Sequence, residues 1–316
     1  MSYTAERKLP SELIIDDALF QELRKRNYFK IVFHSLLNII IFLLLGILSI
    51  QVYIRHLWWI FPILWLSQGF MISTFFDIAH DCIHNNFGNS SRINRLAGIF
   101  WLLPVLVNFS CYKNYHLEHH KHTRVDNDPE PSGDFSSFWE YLSGYILIFF
   151  NSPTITMTVK AVFGKMPPFI RSEKIRHDIQ IDSIALVLWL VGMITLTLFF
   201  WQYAVLMYWI PLLFVYPIAY LTVTLEHYGC DMGSCLLSNT RTISSNFLFR
   251  CLVWNGNYHA EHHVYPSIPA HSLPQLHSVI GSHFKYQEKS YLLFHWQLIR
   301  SLLKRQESPL DPSSTT

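Results

Sequence analysis

Four stretches of this chain are long and apolar enough to cross a lipid bilayer, and they restrict the fold before any motif is read. A bilayer core about 30 Å thick needs about 20 apolar residues in a helix, because lipid offers no partner to a backbone N–H or C=O. Ile31–Ile50 meets that length, as does Leu57–Ala79 with the polar exceptions Ser67, Gln68 and Asp77. Ile184–Trp201 and Ala204–Leu225 read as a second pair joined by a turn of two residues. The composition agrees, with 51% hydrophobic and only 15% charged residues, against about 25% charged in soluble domains. Trp58, Trp59, Trp201, Tyr203, Tyr208 and Trp209 gather at the ends of these runs, where amphipathic rings meet the membrane interface. The expected fold is all-α and integral to the membrane, with four transmembrane helices.

Two further apolar runs are read as interfacial. Leu96–Phe109 has 14 residues, about 21 Å of helix and too short to cross. Phe138–Phe163 is interrupted by Glu140, Asn151, Pro153 and Lys160. With four crossings, Arg55 is the sole Lys or Arg on the far side, while Arg7, Lys8, Arg24, Lys25, Arg26, Arg92, Arg95, Arg171, Lys174, Arg176, Arg241, Lys304 and Arg305 lie on the near side. The positive-inside rule makes the near side cytoplasmic, both termini included. Residues 1–30 read as a cytosolic leader without a signal peptide, its Leu19, Phe20 and Leu23 forming an amphipathic surface helix. Residues 31–306 read as one membrane domain and 307–316 as a disordered tail. A net charge of +2 gives no argument for nucleic acid, and five scattered cysteines without a Cys-x-x-Cys pair support neither a zinc ribbon nor an iron–sulfur cluster.

Histidine is the residue that carries chemistry here. His80 and His84 are spaced i, i+4 just beyond the second span. His116, His119 and His120 follow, and His259, His262 and His263 repeat the same i, i+3, i+4 spacing. On a helix such positions share one face. His227, at the near-side end of the fourth span, adds a ninth ring. With the interfacial reading of 138–163, all nine fall on one side and form a cytosolic cap. Nine nitrogens exceed the four of a tetrahedral zinc and are enough for two metal ions with four or five each. Asp77, Asp81, Glu118, Asp126, Asp128, Glu226 and Glu261 lie near enough to orient rings by accepting their second N–H. His34 is expected to be structural and away from the boxes, His56 interfacial, and His122 one step off the ligand face. His271, His277, His283 and His295 are expected at the surface or in packing, and Trp254 and Tyr258 as walls of the site or core.

The three boxes resemble those of the membrane fatty acid desaturase superfamily over about residues 60–280. Asn257–Pro269 with Leu273–His277 is similar to the third-box region of bacterial lipid desaturases, and His120–Arg124 with Asp126–Pro129 to their second. The resemblance implies a di-iron centre held by these histidines, O2 as co-substrate and an external electron donor. It matches His227 to the family's single extra ligand. Related carotenoid hydroxylases and ketolases share the boxes, so a lipid acyl desaturase and a hydroxylase or ketolase of an apolar substrate both remain open. A zinc receptor, hydrolase or metal transporter is a third reading, although a transporter places ligands near the bilayer midplane. The chain has no Gly-x-Gly-x-x-Gly, cysteine cluster or cytochrome b5-type haem segment, so a separate ferredoxin or cytochrome b5-like donor is expected at the basic face.

Overall fold

The computed structural model describes residues 9–130 and 135–307. Residues 1–8 of the expected leader and 308–316 of the expected tail lie outside the described residues. Asp16 caps α1 (Asp17–Leu23) by accepting from the backbone N–H groups of Ala18 and Leu19. The leader's apolar side packs on protein: Leu13 and Leu23 are buried, and the Tyr265 hydroxyl donates to Leu13 O at 2.9 Å. Asn27 then caps α2 (Tyr28–Ile54), the first candidate span. The second, Trp58–Ile83, comprises α3 (Phe61–Ser73) and α4 (Phe75–Ile83) across Thr74. Thr74 Oγ1 donates to Asn38 Oδ1 at 2.7 Å, joining the two spans where an unpaired polar group would be costly.

The bend between α5 (Ser91–Leu102) and α6 (Phe109–His122) is 101°. It splits the run 96–109, and Leu106 turns the chain at φ +61°. Asn108 pins the bend, its Nδ2 donating to Ile179 O and Ser183 Oγ. The run 138–163 breaks into α7 (Phe138–Ile146), α8 (Ile148–Asn151) and α9 (Pro153–Val162). The longest has 10 residues, about 15 Å and too short to cross alone.

The expected two-residue turn at 202–203 is replaced by a break two residues earlier, at Phe200. α10 (Glu173–Ala204) passes through a π-helical turn, Val205–Trp209, into α11 (Ile210–His227). Trp209 Nε1 donates to Thr197 Oγ1 at 2.7 Å and Trp189 Nε1 to the Tyr208 hydroxyl at 3.1 Å. A straight helix would hold those residues about 18 and 28 Å apart along its axis, so the chain doubles back. The helix breaks at Phe200, whose φ of −133° and ψ of 45° are not helical, and helical turns on either side of the break leave few backbone groups without partners, which an apolar solvent demands. α11 lies close against α3: a Cβ on Gly69 would come within 2.7 Å of Phe214 Cβ and 2.8 Å of Pro211 O. Ile40, Leu43, Leu44 and Ile47 form an exposed stripe on α2, a helical face suited to lipid.

The remaining residues build the cap. They include two strands that an all-α expectation omits, β1 (Arg241–Ile243) and β2 (Tyr286–Glu288), paired in parallel with Arg241 opposite Tyr286. α12 (Phe247–Leu252), α13 (His259–Val264), α14 (Leu273–Ile280) and α15 (Tyr291–Glu307) surround them. The strands have a local use. Ile243 N donates to Asn257 O, and Asn257 Nδ2 donates to Ile243 O at 2.6 Å, fixing the entry to α13. The described residues are mostly helical, with three to four candidate membrane-spanning helices and one histidine-rich cluster among them.

Candidate metal centre

All nine predicted histidines meet, and they divide into two groups. His80, His84, His116, His120 and His262 place one ring nitrogen each within 4.8 Å of one another, and His119, His227, His259 and His263 do the same. The first group draws on the end of α4, on α6 and on α13. The second draws on α6, the last residue of α11 and α13. The groups touch where the rings of His120 and His263 stack at 4.2 Å between centroids.

Hydrogen bonding among the rings does not account for this arrangement. His116 Nε2 lies 2.8 Å from His80 Nε2 and 2.9 Å from His120 Nε2, and His120 Nε2 lies 3.1 Å from His262 Nε2. A neutral imidazole nitrogen carries one N–H or one lone pair, so His116 Nε2 satisfies only one of its two contacts. His84 Nε2 and His263 Nε2 are buried with no hydrogen-bond partner among the described residues. Two nitrogens each about 2.1 Å from one ion at right angles are about 3.0 Å apart, which matches the observed edges. Burial, and then the neighbouring imidazoles, hold His259, His262 and His263 well below the usual histidine range. They are therefore neutral at pH 7 and keep the lone pairs a metal needs. The donor set fits two metal ions.

The acids divide by what they hold. Asp128 Oδ1 lies 2.8 Å from His119 Nδ1 and is fixed by the N–H groups of Arg124 and Glu130. Glu226 Oε2 faces His259 Nδ1 at 3.5 Å. Asp81 does not touch a ring of the cluster; it accepts from Trp254 Nε1 at 2.6 Å and from Ala270 N, tying α4 to the segments flanking α13. Glu261, fully buried, accepts from Thr242 Oγ1 at 2.8 Å and pairs with His277 Nδ1 at 2.5 Å. His277, expected at the surface or in packing, therefore secures the helix that carries three boxed rings. Its place one turn into α14 was invisible as a spacing. Glu118 pairs instead with Lys121 and His122, and Asp126 is exposed. His34, expected away from the boxes, meets Trp254 edge-on at 4.7 Å. Glu130, not among the predicted acids, approaches His119 Nδ1 at 4.0 Å, its carboxyl raised by burial.

A cavity of about 450 Å³ opens against the cluster. His80, His116, His227, His259 and His262 form one end, and aromatic side chains, among them Phe70, Phe76, Tyr112, Phe135, Tyr216 and Tyr220, form much of the remainder.

Comparison with known proteins agrees with this geometry. Over 72 residues, 22% of this chain and 21% of the relative, it is 36% identical to an sn-1 oleoyl-lipid 12-desaturase of Anabaena variabilis. It is 34% identical over 123 residues, 38% of this chain and 33% of the relative, to an sn-1 acyl-lipid omega-3 desaturase (ferredoxin) of Nostoc sp. (strain 36). A longer match, 27% identical over 257 residues, covers 79% of this chain and 76% of a sphingolipid delta(4)-desaturase of Xenopus tropicalis. The first two alignments thus span under half of those relatives, and the third about three quarters. The family model described as fatty acid desaturase matches residues 56–295, and the chain belongs to the fatty acid desaturase family.

Proposed function

We propose that the chain is an O2-dependent lipid desaturase whose nine histidines hold two iron ions, five nitrogens on one and four on the other. The division into two groups, one buried and one partly buried, beside an aromatic-lined cavity is the observation that carries this reading. Bound iron would supply what side chains lack, the coupling of O2 reduction to removal of hydrogen from an unactivated carbon. In the overall balance a –CH2–CH2– unit becomes –CH=CH– and O2 becomes two waters, two electrons coming from the lipid and two from a donor. The donor is a separate ferredoxin or cytochrome b5-like protein, in keeping with the ferredoxin named for the Nostoc relative.

The chain's own residues hold this geometry. Asp128 accepts the hydrogen bond of the His119 Nδ1–H, which leaves the Nε2 lone pair toward the second group. Glu261, Thr242 and His277 keep α13 from rotating, so three rings stay aimed. The aromatic walls keep the space beside the cluster apolar, which suits an acyl chain. In this reading the Glu173–His227 run crosses the membrane twice, the first two spans add two crossings, and the cap and both termini are cytoplasmic.

The test is expression in a host of defined lipids, with metal analysis of the purified protein and mass spectrometry of the lipids. About two irons per chain and a product two hydrogens lighter are expected. Zinc without iron would sink the oxidative reading, and an added oxygen would make the enzyme a hydroxylase or ketolase.

A further inference from the structure

The outer face of α10 changes character within a single turn. Lys174 and His177 are exposed on it, and Ile181, Ile184 and Leu188 continue it as exposed apolar residues, at the spacings of three and four that keep to one side of a helix. The change puts the edge of the hydrocarbon near Ile181, with the Lys174 backbone about 10 Å outside it. The headgroup zone is about 5–7 Å deep on each side, and a lysine stem is long enough to bring its ammonium back into it.

The end of α9 is held at the same level. Ala161, Ile170 and Ile179 share one buried cluster with Cys111 of α6, and Ile179 lies about 3 Å along the axis outside Ile181. Lys160 and Arg171, each next in sequence to a member of that cluster, are exposed, and so is Lys165. Gly164, at φ +72°, ends α9: Lys165 N donates to Lys160 O and Gly164 N to Ala161 O, both at 2.9 Å. That cap folds the chain back and brings the backbones of the two lysines together.

Neighbouring acids do not neutralise this band. Asp178 and Asp182 pair with Arg95, and Glu173 faces Arg176. Lys160, Lys165, Arg171 and Lys174 make no ion pair among the described residues. Beside the lysines, Val159, Val162 and Phe163 are exposed, Phe163 by 75%. An apolar edge flanked by cations at this depth is complementary to a bilayer interface that carries anionic headgroups.

Resting on the reading that α10 crosses the membrane, we infer that Lys160, Lys165, Arg171 and Lys174 form a docking surface for the phosphate headgroup of an anionic phospholipid in the leaflet bordering the cap. A headgroup held there braces α9 from outside. The Thr158 hydroxyl of α9 accepts the Asn108 N–H at 3.2 Å, and Asn108 caps α6, the helix of the second histidine box. Ser152, Pro153 and Thr154, at the other end of α9, line the cavity.

The test uses the full chain in nanodiscs of phosphatidylcholine with phosphatidylglycerol as a minor component. Spin-labelled analogues of the two lipids report which is held at the protein surface. Phosphatidylglycerol should be enriched over its bulk share by at least about threefold, and molar salt should remove most of the excess. Changing Lys160, Lys165, Arg171 and Lys174 together to Gln should return the ratio to bulk, whereas changing the three lysines to Arg should retain the enrichment. A bulk ratio in wild type, as an acidic protein partner would leave it, overturns the proposal. So does an enrichment that survives the four Gln changes or is lost with Arg. Membrane placement is read separately, from quenching by brominated lipid of a fluorophore on His177→Cys or Leu188→Cys in a cysteine-free background. Quenching at 188 with no lipid enrichment removes the headgroup surface alone, while no quenching at 188 removes the crossing and the surface with it.

Discussion

His119 shows what a single side chain needs in order to serve in this cluster. Its Nδ1 is held by Asp128, whose second oxygen accepts from Arg124 N, so one carboxylate sets both the tautomer and the loop that follows. Replacing Asp128 with Asn should lower metal affinity by about 10- to 100-fold, read as metal retained per chain during titration with a chelator. Unchanged retention would mean that packing alone orients the ring. His271 offers a pH test well away from the rings. It accepts the Asn27 N–H at 3.0 Å, and burial, then Lys30, lowers it from 6.5 to about 4. Between those values the unfolded chain binds a proton that the folded one refuses, so stability is lost as pH falls from 6.5 toward 4 and is unaffected above 6.5. His271→Gln, which can still accept, should show a shallower fall in Tm across that window than wild type.

Among the elements, α3 and α11 approach each other closely at Gly69. Ala is the better helix former by about 1 kcal/mol over Gly, yet at Gly69 the added methyl meets backbone oxygen as well as Phe214. Overpacking costs about 1–3 kcal/mol, so the steric term wins and Gly69→Ala should destabilise the protein in a detergent unfolding titration. Gly192→Ala, where nothing lies within 4 Å, should be neutral or slightly stabilising. Elements were also where sequence reading was least complete. The apolar runs announced α2, α3 and α10 and a reversal after them, but the break itself falls at Phe200, inside an apolar run with no turn residue to announce it. Likewise β1 and β2 are three residues each, too short for alternation to register.

Across the whole molecule, the expected outcome of topology mapping is that single cysteines placed at Arg55 and at Ser245 in a cysteine-free background label from opposite sides of the membrane. Labelling of both from one side would remove the four-crossing arrangement and the cytoplasmic cap with it. What the amino-acid order determined by itself was the membrane class, the nine rings and their membership of a common site. Each follows from local chemistry, because run length and imidazole spacing are properties of neighbouring residues. How the rings divide, five and four, was decided only in three dimensions. His262 and His263 are adjacent in sequence but diverge to different groups, as successive side chains on a helix point about 100° apart. The same holds for His119 and His120. The support from His277 and the position of Asp77 against Gly256 likewise depend on segments far apart in the chain, which only tertiary packing brings into contact.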